Sequence, residues 1–300
     1  VLDKLEFMIA LAREKHFGRA AESCGVAQPT LSQGIQQLEE MLNVSLVKRS
    51  SRFLGFTPEG ERVLIWARRL VGDVQAMRKE IISMQQGHGA QLCIAVMPAA
   101  MPIVASLTAP FQDRNPTVRF TLITRTADEI INLLHEREID AGVRYIGNAI
   151  SSDIDELPLY EERYLLLTTA GGRFGDSDEI AWAELAALPL CLFAPSLQQR
   201  RIIDDALRRR GVEVRPAIET DSILALTTHV RTGRWVSVVS SLALSAIDLS
   251  GSLRAVPIVD PEIVSTIGLV VSKRFPLQPA MAALMTEARR GLIHDVPEEV

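Results

Sequence analysis

An all-α head followed by an α/β body is the fold class that this 300-residue sequence predicts. Three observations predict it. Apolar residues recur at helical spacing through residues 1–84, the stretch "QQGHG" at 85–89 interrupts that pattern, and beyond it short apolar runs alternate with helical stretches. With 47% hydrophobic and 23% charged residues, the chain has apolar material for two or three cores and reads as multidomain. No apolar run is long enough to span a bilayer, and Asp3, Lys4, Glu6, Arg13 and Glu14 break up the first fifteen residues, unlike a signal peptide. A cytoplasmic protein without a membrane partner is expected.

The head begins with a helical stripe, Leu5, Met8, Ile9 and Ala12. A second helix follows in "HFGRAAESCGV", where Ala20 and Ala21 let a neighbour approach closely and Gly25 supplies a left-handed cap. The third helix starts in "AQPTLSQGIQQLEEML", residues 27–42, with Pro29 preset for the first turn. Leu31, Ile35, Leu38 and Leu42, at steps of 4, 3 and 4, predict its buried face. Its other face carries Pro29, Ser32, Gln33, Gln36, Gln37 and Glu40, mostly neutral amide and hydroxyl rather than the Lys/Glu mixture of a solvated helix. Helix, tight turn and helix with such an outer face form a helix-turn-helix, whose second helix lies in the major groove of double-stranded DNA. Glutamine suits that place because its amide pairs bidentately with adenine.

"SLVKRSSRFLGFTPEG" then reads as a two-stranded wing with Lys48, Arg49 and Arg52 at a basic tip. By itself it reads more readily as a solvated hairpin; beside a reading helix, its cations are placed for phosphates. From Pro58 to Gln86 one long helix is expected, with Val63, Ala67, Leu70, Val74, Met77, Ile81 and Met84 repeating at steps of 4 and 3. That seam suits pairing with a second copy, or packing on its own domain.

In the body, "LCIAV" (92–96), "FTLIT" (120–124), "YLLLTT" (164–169), "LCLF" (190–193) and "WVSVV" (235–239) predict strands, and 103–113, 127–137 and 198–210 predict helices. The alternation predicts a parallel-type sheet with ligand sites at the carboxyl ends of its strands.

Charge and chemistry exclude several functions. The net charge of −5 is unevenly spread: residues 1–89 hold 12 Lys/Arg against 10 Asp/Glu, and residues 90–300 hold 20 against 27. Only the head can approach a phosphate backbone without a general penalty. Cys24, Cys93 and Cys191 form no CxxC pair, so buried free thiols are expected rather than disulfides or structural zinc. The histidines, His16, His88, His135, His229 and His294, lack metal-ligand spacing, and no GxSxG elbow or P-loop occurs. No catalytic residue, metal or cofactor is expected, and the chain reads as a non-enzyme.

Residues 16–60, "HFGRAAESCGVAQPTLSQGIQQLEEMLNVSLVKRSSRFLGFTPEG", resemble the LysR-type transcriptional regulators, and the resemblance extends over the whole chain. "EIDAGV" (138–143) is similar to the family's segment in the first effector subdomain, and "TIGLVVSKRFPLQPAMAALM" (266–285) to its return crossover and last helix. The resemblance implies a winged helix-turn-helix domain at 1–58, a dimerising linker helix and hinge at 59–89, and a periplasmic-binding-protein-like effector domain at 90–300. Within the latter it implies subdomain I at 90–161 and 266–300 and subdomain II at 162–265. It implies a homodimer or homotetramer that binds a promoter operator, acts as activator or repressor with RNA polymerase as partner, and responds to a small effector in the cleft.

Carried over residue by residue, DNA reading falls on Gln28, Pro29, Thr30, Ser32 and Gln33, with Gln36 further along the same face, and backbone contact on Lys48, Arg49 and Arg52. Gly34 departs from the larger polar residue of relatives, which removes one expected DNA contact. The effector cleft falls on Met97, Ala99, Ala100 and Met101, on Thr126, and on Ser196 and Leu197. Helix amino ends in such a cleft favour an anionic guest; ordinary helix capping or core packing is the competing reading for each of these residues, less so for Thr126 and Ser196. A thiol-based redox sensor of the same family is the alternative, but no cysteine stands between Ala194 and Gly211, where that branch carries its reactive thiol.

Overall fold

The computed structural model describes residues 1–48, 53–85, 89–147, 152–172, 174, 177–245, 247, 249, 252–273 and 276–291. Contacts divide them into two units, one of residues 1–90 with 132–138 and one of residues 91–131 with 139–300.

The first unit opens with α1 (Leu2–Glu14), α2 (Phe17–Ser23) and α3 (Gln28–Leu42). His16 starts α2: its Nδ1 accepts the backbone N–H groups of Gly18 and Arg19 at 3.1 and 3.3 Å, satisfying two donors that a helix start leaves open. Gly25 takes a φ of 67° in the turn, as its expected capping role requires. Leu5, Met8 and Leu11 of α1, Ala20 and Ala21 of α2, and Leu31, Ile35 and Leu38 of α3 share one core. Leu42 does not join them and is 43% exposed, because α3 ends one residue later in the left-handed turn at Asn43.

Among the described residues the wing shows one antiparallel bridge, Val47 with Phe56, and a Lys48 N–H to Gly55 carbonyl bond of 3.0 Å. Phe53 packs edge-on against both Phe17 and Phe56, which ties the returning arm to α2. Helix α4 (Pro58–Gln85) begins at Thr57, whose Oγ1 accepts the Gly60 N–H and donates to the Ser45 carbonyl. The expected seam of α4 is divided between two faces. Ala67 is fully buried, together with Leu64 and Val71, in the unit's own core, while Leu70, Met77 and Ile81 are exposed.

The second unit holds two sheets. The five-stranded one is ordered β2 (Arg119–Thr124), β1 (Gln91–Val96), β3 (Ala141–Tyr145), β11 (Ser265–Ser272) and β4 (Ile154–Glu162). The other has β6 (Ile180–Ala181), β10 (Leu253–Val259), β5 (Tyr164–Thr169) and β9 (Ser237–Ser240), with a pair β7 (Cys191–Phe193) and β8 (Ile218–Thr220) joined to it by a Leu190–Val236 bridge. This unit's helices are α5 (Met101–Arg114), the start of α6 (Ala127–Glu136), whose residues from 132 on belong to the first unit, α7 (Gln198–Arg208), α8 (Ile223–Arg231), α9 (Ser241–Leu244) and α10 (Pro279–Gly291).

The sheets are mixed, which corrects the expectation of a parallel type. β1 runs parallel to β2 and β3, but β11 runs antiparallel to β3 and β4, and β5 antiparallel to β9 and β10. The reason is connectivity: the chain leaves the first sheet at β4, builds the second, and returns as β11 from the opposite end. The two crossings lie at Arg163 and at 260–264.

Candidate DNA interface and effector cleft

Periodicity presents the outer face of α3. Gln28, Pro29, Thr30, Gln33 and Gln36 are exposed and Ser32 is half-buried, while Leu31, Ile35 and Leu38 turn inward. The amides of Gln28, Gln33 and Gln36 have no partner among the described residues, so each retains both donor and acceptor capacity for a base edge. Gly34 is not on this face. It is buried, and a Cβ placed on it would lie 2.7 Å from Cδ2 of Phe7, so glycine there serves the approach of α1 to α3 and no DNA contact is lost. Lys48 is exposed beside the bridge; Arg49 and Arg52 lie outside the described residues.

Glu39, which sequence reasoning passed over, connects these parts. It is 7% exposed, and its Oε1 accepts the backbone N–H groups of Leu46 and Val47 at 2.7 and 3.1 Å. A buried carboxylate on α3 thereby holds the first arm of the wing. The available signal was a charge adjacent to the apolar stripe, one position after Leu38.

The second unit contains a narrow cleft, open to solvent, with a cavity volume of about 20 Å³. One wall is built at the carboxyl ends of β1, β2 and β3, from Met97, Pro98 and Ala99, from Thr126 and Ala127, and from Tyr145. The other follows β7 and comprises Phe193, Leu197, Gln198 and Gln199. No charged side chain lines it.

Four of the expected cleft residues, Met97, Ala99, Thr126 and Leu197, therefore line this space. Ala100, Met101 and Ser196 do not. Ala100 is fully buried, and Met101 opens α5, where the helical rotation carries successive side chains away from the cleft. Ser196 is exposed on a tight turn closed by the Leu197 N–H to Ala194 carbonyl bond of 3.0 Å, so it neither lines the cleft nor caps α7. Pro98, Ala127, Tyr145, Phe193, Gln198 and Gln199 are additions that tertiary packing brings in.

Polar groups around the cleft are mostly committed. Thr126 donates from its N–H and Oγ1 to Glu129 Oε2, each at 2.8 Å, a capping arrangement that lowers the Glu129 carboxyl below its ordinary range. Arg200, 5% exposed, donates to Asp204 Oδ1, the Phe193 carbonyl and Glu219 Oε1 at 2.7, 2.7 and 2.8 Å. The amino end of α7 has no side-chain cap.

Profiles of known families decide the identity of both parts. "Bacterial regulatory helix-turn-helix protein, lysR family" matches residues 2–61, and "LysR substrate binding domain" matches residues 85–292. The chain belongs to the LysR family of transcriptional regulators. It is accordingly a DNA-binding regulator with an effector-binding domain, and not an enzyme.

Among LysR-family relatives, the Escherichia coli K12 DNA-binding transcriptional dual regulator OxyR is 28% identical over 277 residues, 91% of this chain and 90% of the relative. The probable nitrogen assimilation transcriptional activator of Synechococcus elongatus is 26% identical over 278 residues, 90% of this chain and 88% of the relative. Full-length OxyR from Pseudomonas aeruginosa has the same fold, with a TM-score of 0.68 at 24% identity, covering 96% of this chain and 97% of that one. Full-length CbnR in complex with its target DNA superposes with a TM-score of 0.63 at 22% identity, covering 97% and 99%. Among the described residues no helix is long and apolar enough to cross a membrane.

Proposed function

We propose that this LysR-family protein is a cytoplasmic regulator whose DNA binding is controlled by a small anionic effector in the cleft of its second unit. The observation that carries the reading is the uncapped amino end of α7 opening on an apolar space that no acidic side chain lines. Unpaired backbone N–H groups and the positive end of the helix dipole attract an anion there. Gln28, Pro29, Thr30, Ser32, Gln33 and Gln36 read the operator, and Lys48, Arg49 and Arg52 hold phosphates. The exposed apolar residues Leu70, Met77 and Ile81 on α4 support assembly as a homodimer or homotetramer, which recruits or blocks RNA polymerase at the promoter. The domain divisions proposed are 1–58, 59–89 and 90–300, the last with subdomains at 90–161 with 266–300 and at 162–265.

The experiment is native mass spectrometry of the purified protein, followed by DNA footprinting with any retained molecule added back. Retention of a small acid that alters the footprint supports the reading. A retained cation or neutral hydrocarbon, or a footprint indifferent to the acid, overturns it.

The redox alternative finds little support in the thiols. Cys191 is fully buried on β7, and burial pushes the thiols of both Cys191 and Cys24 up, away from the reactive thiolate. A footprint unchanged by peroxide is expected.

A further inference from the structure

Five strand ends meet around one carboxyl where the chain passes between the two sheets. Glu162 closes β4; from the same sheet come Tyr145 at the end of β3 and Ser265 at the start of β11, and from the other come Tyr164 at the start of β5 and Ser240 at the end of β9. Glu162 and Ser240 are fully enclosed, and both tyrosines are buried. The Tyr145 hydroxyl donates to Glu162 Oε1, and the Tyr164 hydroxyl lies 3.4 Å from the same oxygen and 3.0 Å from Ser265 Oγ. The Ser240 hydroxyl stands beside the carboxyl and accepts the Ala243 N–H at 3.3 Å. The second carboxyl oxygen, Oε2, is enclosed and has no hydrogen-bond partner among the described residues.

Charges on the neighbouring elements are engaged elsewhere. Arg163, next in the chain, bonds to Glu262; Arg144 on β3 gives its Nε to the Tyr145 carbonyl, and the carboxylates that bear on it are Glu156 and Asp128. Glu161, Asp260 and Glu262 are exposed, and β9, α9 and β11 contribute no ionisable side chain. Burial pushes both phenols up, so they remain donors and Glu162 is the member of the cluster that changes charge. Neutral, its carboxyl leaves one O–H unmatched; ionised, it leaves an enclosed charge with one bare oxygen, the costlier of the two. Water reaches Oε2 when the strand ends around it part. Because those ends belong to both sheets, parting them turns one sheet against the other about the crossings at Arg163 and 260–264.

Beyond the effector reading, and independent of which molecule the cleft takes, we propose that this junction is a proton-operated hinge, holding the two sheets together while Glu162 is protonated and releasing them when it loses its proton. Tyr145 lines the cleft, so release alters the cleft wall as well. Burial makes the closed form hold the proton more tightly. Closure is therefore favoured in acid, and that preference is lost as pH rises from the ordinary carboxyl value of 4.5 to about 7.

The chain's three tyrosines, Tyr145, Tyr160 and Tyr164, all stand at this junction and supply the probe. Tyr160 belongs to β4, and its hydroxyl lies 3.0 Å from Ser241 Oγ at the start of α9, so it bridges the junction by a separate contact. Nuclear magnetic resonance of the full chain, with 13C at every tyrosine Cζ and signals assigned by single Tyr→Phe replacements, is recorded from pH 5 to about 8.5 with and without a soluble gadolinium chelate. All three signals are expected to shift together and to broaden with the chelate as pH rises. The ratio of released to closed form grows by up to about tenfold per pH unit, as loss of one proton requires, and levels above about 7. Glu162→Gln is expected to leave all three signals independent of pH and shielded from the chelate. Tyr145→Phe removes a hydroxyl that eases the ionised carboxyl and is expected to move the levelling to higher pH, which a merely structural contact does not do. Signals indifferent to pH, a response that survives in Glu162→Gln, or a shift of Tyr145 and Tyr164 that leaves Tyr160 unmoved and shielded overturns the inference. Where Glu162→Gln does not fold, Tyr145→Phe decides: levelling at the same or lower pH overturns it.

Discussion

The hydroxyl of Tyr145, a residue of the cleft lining, donates to Glu162 Oε1 at the last position of β4, one residue before the chain crosses to the second sheet. Tyr164, just past the crossing, is 3.4 Å from the same oxygen and 3.0 Å from Ser265 Oγ at the start of β11, where the chain returns. A buried carboxyl thus links the cleft to both connecting strands.

Burial pushes the Glu162 carboxyl up to about 7, with the hydroxyls of Tyr145 and Tyr164 offsetting part of the rise. A carboxyl that holds its proton more tightly when folded favours the folded state below its unfolded value, 4.5, and that contribution is lost as pH rises through about 7. The full effect is on the order of 3 kcal/mol. Denaturant titrations are expected to show stability falling across that window and levelling above it. Glu162→Gln, neutral at every pH, should flatten the curve; an unchanged slope would assign the titration to another group.

Glu39→Ala should loosen the wing. It leaves the Leu46 and Val47 N–H groups without their acceptor, at about 1–3 kcal/mol each where no water replaces it. Reduced DNA affinity together with faster amide exchange at residues 46 and 47 is expected. Retained exchange protection would show another acceptor.

Gly34→Ala is expected to destabilise the head by about 1–3 kcal/mol, because the added Cβ meets the Phe7 ring at 2.7 Å. Base preference should be unchanged in the folded fraction. Gln33→Ala should do the opposite, keeping stability and relaxing discrimination at one base pair by about 1–3 kcal/mol. Equal losses on operator and random DNA would reduce Gln33 to a positioning contact.

Lys48→Ala should weaken operator and random DNA alike and reduce the dependence of log affinity on log salt by roughly one unit, since one phosphate contact releases about one counterion. A slope identical to wild type would remove Lys48 from the interface.

Met77→Asp tests assembly. Met77 is 52% exposed, so the charge is tolerated in a single chain, but it is enclosed unpaired if two α4 helices meet there. Sedimentation is expected to show dissociation with the helical content preserved. An intact oligomer would place the interface elsewhere.

Local pattern was enough to read the helix-turn-helix, the outer face of α3, the long α4 and the main strands of the body, because helix and strand impose periods of 3.6 and 2 on which side chains are buried. The exposure of the α3 glutamines was legible for the same reason: which residues of a helix face outward follows from its own apolar stripe. Tertiary structure alone decided which strands pair antiparallel, that Gly34 answers to Phe7, that Glu39 holds the wing, and that Ser196 turns to solvent while Tyr145, Gln198 and Gln199 reach the cleft. Each of these depends on residues far apart in sequence meeting in space: a carboxylate and two amides seven and eight positions on, or a strand end and a helix start more than fifty residues apart. Periodicity reports which way a side chain faces within its own element; what stands opposite it is set by how the elements pack.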